Sequence, residues 1–312
     1  MDIALNAGLT VIGIVMLCYG GHYLVEGGVG IAKKFRIPNM IIGMTVVAYG
    51  TSTPELAASI AAAGQHTELI LGNVVGSNIS NIGMVIGISA ILIPLAVQKT
   101  TVRKEIPIMI GVSILLIALS LDNGISQWEG GVLIAGLFAF TYYLYRSAKK
   151  QRDNDSEKES IPTKKNFIVK SLGFIGLGIA LLWVGAMLTI DNAVVIAQSL
   201  GVSERIIGLT IIAIGTSLPE LITSIMAIRK GHHDIGIGNI IGSNIYNVLM
   251  IVGVGAAIGG IVVVPQVFID YGVMIAFSLV LLIVMKTGII KKPMGIGLVG
   301  GFAAYLGWLL IL

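Results

Sequence analysis

Charge is what this sequence has least of. Only 12% of its 312 residues are Asp, Glu, Lys or Arg, about half the usual share, while 55% are apolar. So few charges cannot cover a water-facing surface, and a soluble protein is excluded. The net charge of +4 does not point to nucleic acid, because the basic residues sit in short segments between apolar runs. Cysteine is nearly absent too. Cys18 stands alone in an apolar run, which rules out an intrachain disulfide and reads as packing. The four histidines (His22, His66, His232 and His233) lie near the ends of apolar runs or between them, and no Cys/His cluster exists, against a soft or catalytic metal. Met1-Asp2 brings no basic leader, so the first apolar run reads as a retained span.

What the chain has is apolar length. Runs fall at roughly 3–25, 38–64, 69–97, 105–121, 129–146, 167–190, 205–228, 235–260, 267–285 and 293–311. A span needs about 20 such residues, and in lipid the backbone is satisfied only by helices or closed barrels. The alternating ten-residue segments of a barrel are missing. The sequence therefore predicts an all-α membrane protein with ten transmembrane helices in the lipid bilayer. Threaded alternately, these spans put all but Arg205 of the 20 lysines and arginines on one side. The positive-inside rule makes that side cytoplasmic and both termini extracytoplasmic, as expected of a multi-pass protein of the cell membrane.

An internal repeat divides the chain. GMTVVAYGTSTPELAASI (43–60) matches GLTIIAIGTSLPELITSI (208–225) at an offset of 165 residues. GNVVGSNISNIGMVIG (72–87) matches GNIIGSNIYNVLMIVG (238–253) at an offset of 166. Residues 1–146 and 167–312 then form two five-helix repeats, with 147–166 as a solvated, mixed-charge cytoplasmic linker. Five is odd, so the second repeat enters from the opposite side, and the two are related by inverted topology. The 41 glycines suit close packing of such helices.

The repeated blocks carry the chemistry. Glu55 and Glu220 lie deep in apolar spans, where each costs about 2.5–3.5 kcal/mol on insertion scales. No Lys or Arg lies within the spans to pair with them, and together their charge would cancel that of Ca2+. Pro54 and Pro219 lack the N–H that would bond the carbonyls of Gly50 and Gly215. Carbonyls freed near Ala48, Gly50 and Thr51, and near Ala213, Gly215 and Thr216, are useful facing a cation, as in transporters built on broken helices. Ser52 and Ser217 share a helix face with the glutamates. Asn73, Ser77 and Asn81 form a polar stripe on span 3, as do Asn239, Ser243 and Asn247 on span 8; these offer oxygens suited to a hard cation. Hydrogen bonding between helices is the competing use, and for Asn73 and Asn239 the two readings are equally open.

GTS-x-P-E followed by GN-x-x-GSN-I resembles the sodium/calcium exchanger family of the cation/Ca2+ exchanger superfamily, in its compact prokaryotic form, over nearly the whole chain. The resemblance implies an antiporter exchanging about three Na+ per Ca2+ by alternating access, with spans 1 and 6 sliding across an eight-helix core. The ions would bind between spans 2, 3, 7 and 8, with Glu55 and Glu220 touching all of them. Backbone oxygens of Ala48, Thr51, Ala213 and Thr216, and hydroxyls of Ser52, Ser77, Ser217 and Ser243, would complete the shells, with Asn81 and Asn247 lining the middle position. Asn247 stands where some members, including K+-dependent ones, carry aspartate, so no K+ requirement is expected. H+/Ca2+ exchange on the same fold is the alternative, and K+-dependent exchange a further one. An enzyme using the glutamates as acid and base lacks a nucleophile or metal ligands. No cofactor is expected, Ca2+ and Na+ being the transported substrates, and a monomer suffices for the function.

Overall fold

The computed structural model describes residues 3–63, 67–154, 167–202, 207, 210–211 and 213–311. Its helices in chain order are α1 (Ile3–Phe35), α2 (Asn39–Thr51), α3 (Thr53–Ala62), α4 (Leu69–Leu92), α5 (Ile106–Leu119) and α6 (Gln127–Asn154). After these come α7 (Phe167–Ser199), α8 (Ala213–Thr216), α9 (Leu218–Arg229), α10 (His233–Gly259), α11 (Val267–Met285) and α12 (Lys292–Ile311). By length and composition, α1, α4, α7, α10 and α12 are each long and apolar enough to cross a bilayer, and α2 and most of α11 form shorter apolar helices. Of the remaining apolar runs, 105–121 holds the shorter α5, and 129–146 lies within the continuous α6. Ser52 separates α2 from α3 before Pro54, and α5 is preceded by a π turn over Thr101–Glu105.

The linker is expected at 147–166. Residues 147–154 continue α6, while 155–166, like His66 and Arg205, lie outside the described residues.

About five-sixths of α4 and α10 is buried (83% of the best apolar window in each), against 17% for α1 and 28% for α7. The two polar-striped helices are therefore the centre, and α1 and α7 face outward. Four short strands tie chain-distant loops together. β1 (Leu95–Ala96) pairs with β4 (Ile289–Ile290), and β2 (Gly124–Ile125) with β3 (Ile261–Val262), both antiparallel. Each pair joins the first half of the chain to the second.

Helices α1 and α7 run antiparallel and meet along glycines at seven-residue spacing, Gly13, Gly20 and Gly27 against Gly178 and Gly185. A Cβ on Gly178 would stand 2.6 Å from Leu24 N, and one on Gly20 2.8 Å from Leu182 N. Both obstacles are backbone, which cannot rotate away. Lipid offers no hydrophobic drive between helices, so close backbone approach supplies the packing. Leu17, Leu24, Val25 and Leu182 here belong to an apolar cluster separate from the main core. Gly178→Val is expected to cost about 1–3 kcal/mol, seen as a lower Tm in detergent. Gly176→Ala, at a glycine with open space around it, leaves Tm unchanged.

Candidate cation site

Each repeated GTS-x-P-E block folds as a helix broken at its serine. In the first, α2 ends at Thr51, Ser52 turns out of the helix (φ −84°, ψ 6°), and α3 restarts with Pro54 in its first turn. In the second, α8 ends at Thr216, Ser217 takes φ −88° and ψ 3°, and α9 restarts with Pro219. Proline is tolerated there because the first-turn N–H groups have no helical acceptor. Glu55 and Glu220 thereby occupy the first turns of α3 and α9, where the helix dipole favours negative charge. Both are almost fully buried (2% and 1% exposed). They lie within mutual electrostatic reach, and neither has a Lys or Arg ion-pair partner among the described residues.

Oxygens from both halves converge here. Ser52 Oγ lies 3.1 Å from Glu220 Oε1 and 3.1 Å from Ser243 Oγ, and Ser243 Oγ lies 3.4 Å from the same carboxylate oxygen. Thr51 Oγ1 donates to Asn239 Oδ1 at 3.0 Å and approaches Ser243 Oγ at 3.5 Å. The corresponding cluster in the other half is built differently. Ser77 Oγ, Ser217 Oγ, Glu55 Oε2 and Glu220 Oε2 are buried without a hydrogen-bond partner among the described residues, as are Asn81 Oδ1 and Asn247 Oδ1. The structure thus brings together Thr51, Ser52, Glu220 and Ser243 by direct hydrogen bonds. It leaves Glu55, Ser77, Ser217, Asn81 and Asn247 buried with oxygens unspent.

The backbone oxygens differ from the expectation in one respect. Ala48 O is not released by the break: it accepts Ser52 N–H at 3.0 Å, with Thr51 Oγ1 3.3 Å away. In the second half Ser217 N–H goes to Ile214 O at 3.1 Å. Thr216 is half-buried beside the break.

Asn73 and Asn239, open in the sequence, hydrogen-bond between helices. Asn73 Nδ2 reaches Ser59 Oγ at 3.4 Å, and Asn239 Nδ2 reaches Ser224 Oγ at 3.0 Å and Glu220 O at 3.4 Å. Each clamps its stripe to the helix carrying a site glutamate. At Asn81–Ile86 and Asn247–Val252 the helices widen into π turns that begin on the site asparagines, a distortion frequent at functional sites. The Glu55-bearing helix packs on the second of these turns and the Glu220-bearing helix on the first. Asn78 and Asn244, adjacent to the striped serines, were passed over by the four-residue periodicity. Their identity at equivalent positions of both repeats was the available signal.

Among the described residues no three His, Cys, Asp or Glu side chains converge. The candidate donors are two carboxylates with hydroxyl, amide and carbonyl oxygens, a hard-cation set. Paired intramembrane carboxylates between broken helices place this chain among multi-spanning membrane proteins with an acidic, oxygen-lined centre. The chain belongs to the sodium/calcium exchanger protein family, whose pattern it matches over residues 5–146 and 170–311. Members of this family are transporters rather than catalysts.

Among its relatives is the inner membrane protein YrbG of Escherichia coli (strain K12), 36% identical over 98% of this chain and 97% of that one. The sodium/calcium exchanger MaX1 of Methanosarcina acetivorans is 32% identical over 97% of this chain and 98% of its own. The solved structure of the sodium-calcium exchanger NCX_Mj, soaked with zero Na+ and Ca2+, aligns at TM-score 0.85 and 30% identity over 98% of this chain and 99% of that one.

Proposed function

We propose that this protein exchanges Na+ for Ca2+ across the cell membrane by alternating access, with Glu55 and Glu220 as the shared ion centre. The observation that carries the reading is the buried carboxylate pair, with one oxygen of each unspent, amid partnerless oxygens of Ser77, Ser217, Asn81 and Asn247. Two carboxylates match the charge of one Ca2+. The surplus of neutral oxygens is more than a proton carrier needs, which favours Na+ over H+ as the counter-ion. Thr51, Thr216, Ser52, Ser243 and the backbone oxygens of Ala48 and Ala213 complete the proposed donor set; Ala48 O would join it through the lone pair left beside its bond from Ser52 N–H. With amides at Asn81 and Asn247, no K+ requirement is expected.

The architecture proposed is ten spans in two inverted five-helix repeats, 1–146 and 167–312, joined by a cytoplasmic segment, with both termini outside. The cross-paired strands support it: each strand of the first half has a counterpart about 165 residues on, and the two pairs exchange partners as an inverted twofold requires. The close glycine-lined contact between α1 and α7 supports their movement as a unit against the core. The unequal bonding of the two serine clusters supports alternation, since inverted halves in one conformation must differ.

Proteoliposomes loaded with Na+ and diluted into 45Ca2+ test the reading. Uptake is expected with an outward Na+ gradient, unchanged by K+ on either side and absent with a pH gradient alone. Uptake driven by the pH gradient without Na+ would assign H+/Ca2+ exchange instead. Single-channel currents without counter-transport would replace the carrier with a channel.

A further inference from the structure

Four asparagines form a closed figure between α4 and α10, all 1–2% exposed. Asn78 Nδ2 lies 3.1 Å from the main-chain oxygen of Asn244 and 3.8 Å from Met274 Sδ. Both are acceptors, and a main-chain carbonyl can do nothing else. The Asn78 amide is therefore fixed with nitrogen toward α10 and α11 and its oxygen the other way. That oxygen, Oδ1, accepts from Asn247 Nδ2 at 3.0 Å. The mirror arrangement repeats in the other half. Asn244 Nδ2 faces Asn78 O at 3.4 Å and Met109 Sδ at 3.5 Å, and Asn244 Oδ1 accepts from Asn81 Nδ2 at 3.0 Å. Asn81 and Asn247 have thus each turned their nitrogen to an anchor, and the Oδ1 of each stays buried without a hydrogen-bond partner among the described residues.

We propose that Asn78 and Asn244 are positioning residues that lock the amides of Asn247 and Asn81 with oxygen, rather than nitrogen, toward the cation path. The inference rests on the reading of Asn81 and Asn247 as ion-facing. A side-chain amide has one attractive and one repulsive end for a cation, and the two ends are nearly the same shape. An unanchored amide at positions 81 or 247 would spend part of its time presenting N–H donors to the ion. A carboxylate needs no such anchor, because both ends are oxygen. Asparagine at the middle position therefore calls for a second asparagine behind it, and the chain supplies one to each from the opposite half. The methionines behind those anchors, Met109 and Met274, are also equivalent at the 165-residue offset.

The test exploits that difference. Half-saturating Ca2+ for Na+-driven uptake is measured for the wild type, Asn78→Ala, Asn247→Asp and the double variant, with Asn247→Ala as reference. Asn78→Ala is expected to raise it about tenfold, as for loss of one well-placed oxygen contact. In the Asn247→Asp background the same alanine changes it less than about twofold, because an aspartate has no wrong end. An equal rise in both backgrounds marks a packing defect and overturns the proposal. No effect of Asn78→Ala, with Asn247→Ala impaired, also overturns it while leaving the ion-site reading standing. Wild-type behaviour of Asn247→Ala sinks both.

Should Asn78→Ala not be recovered folded, Asn244→Ala tests the mirror pair: half-saturating Ca2+ is expected to rise about tenfold through Asn81, and less than about twofold in an Asn81→Asp background. An equal rise in both backgrounds would overturn the proposal.

Discussion

Glu55→Gln and Glu220→Gln are each expected to abolish Ca2+ uptake, a fall of about 100-fold or more, while yielding membrane-inserted protein at or above the wild-type level. The two halves of this expectation have one cause. A carboxylate near the bilayer centre is costly in the absence of a cation, about 2.5–3.5 kcal/mol on insertion scales. Glutamine removes that cost with little change in shape. It also removes half of the charge that would balance a divalent ion, and contacts to charged groups are worth about 1.5–3 kcal/mol each, or 10- to 100-fold in affinity. Among the described residues neither glutamate has a Lys or Arg ion-pair partner, so no such neighbour is stranded when its charge is removed. Flux assays with 45Ca2+ and size-exclusion profiles in detergent check the two halves separately. Wild-type uptake in both variants would remove the proposed centre; loss of folded protein instead would make the glutamates structural.

Ser52→Ala and Ser217→Ala carry the second large effect, and they are expected to differ from one another. Both remove a hydroxyl at equivalent breaks in the chain, and both are expected to weaken Ca2+ uptake by about tenfold or more. Ser52 Oγ, however, is already bonded within the protein, to Glu220 and Ser243, whereas Ser217 Oγ has no partner among the described residues. Losing Ser52 breaks a buried network and should lower Tm, by a cost of about 1–3 kcal/mol for a stranded polar group. Losing Ser217 breaks no described hydrogen bond and should leave Tm near the wild type. Thermal unfolding of the ion-free protein beside transport measurements separates the two. Equal Tm losses would mean that the present asymmetry does not govern stability, and transport unaffected by Ser217→Ala would remove it from the ion shell.

Much of the centre was legible because apolar surroundings make polar residues conspicuous. Glu55, Glu220, Ser77, Asn81, Ser243 and Asn247 stand out in runs of Ile, Val and Gly, and their recurrence at one offset marks them as a pair of sites. The breaks at Ser52 and Ser217 were legible from the prolines two residues on. The mid-chain polar segment was less so. Its charges and serines read as linker from residue 147, yet α6 continues to Asn154, because Lys, Gln and Arg carry a helix onward once it has begun.

By itself the sequence determined that the chain lives in lipid, that it is built twice, and that two acids with flanking oxygens form its polar centre. Those properties depend on composition and on order along the chain, which folding does not change. Tertiary structure alone decided which side-chain oxygens are already spent across the two halves: Asn78 Oδ1 on Asn247, Asn244 Oδ1 on Asn81, and Asn239 Oδ1 on Thr51. A hydrogen bond between residues more than 160 positions apart depends on where two helices cross and which way an amide turns. No local pattern of residues encodes either.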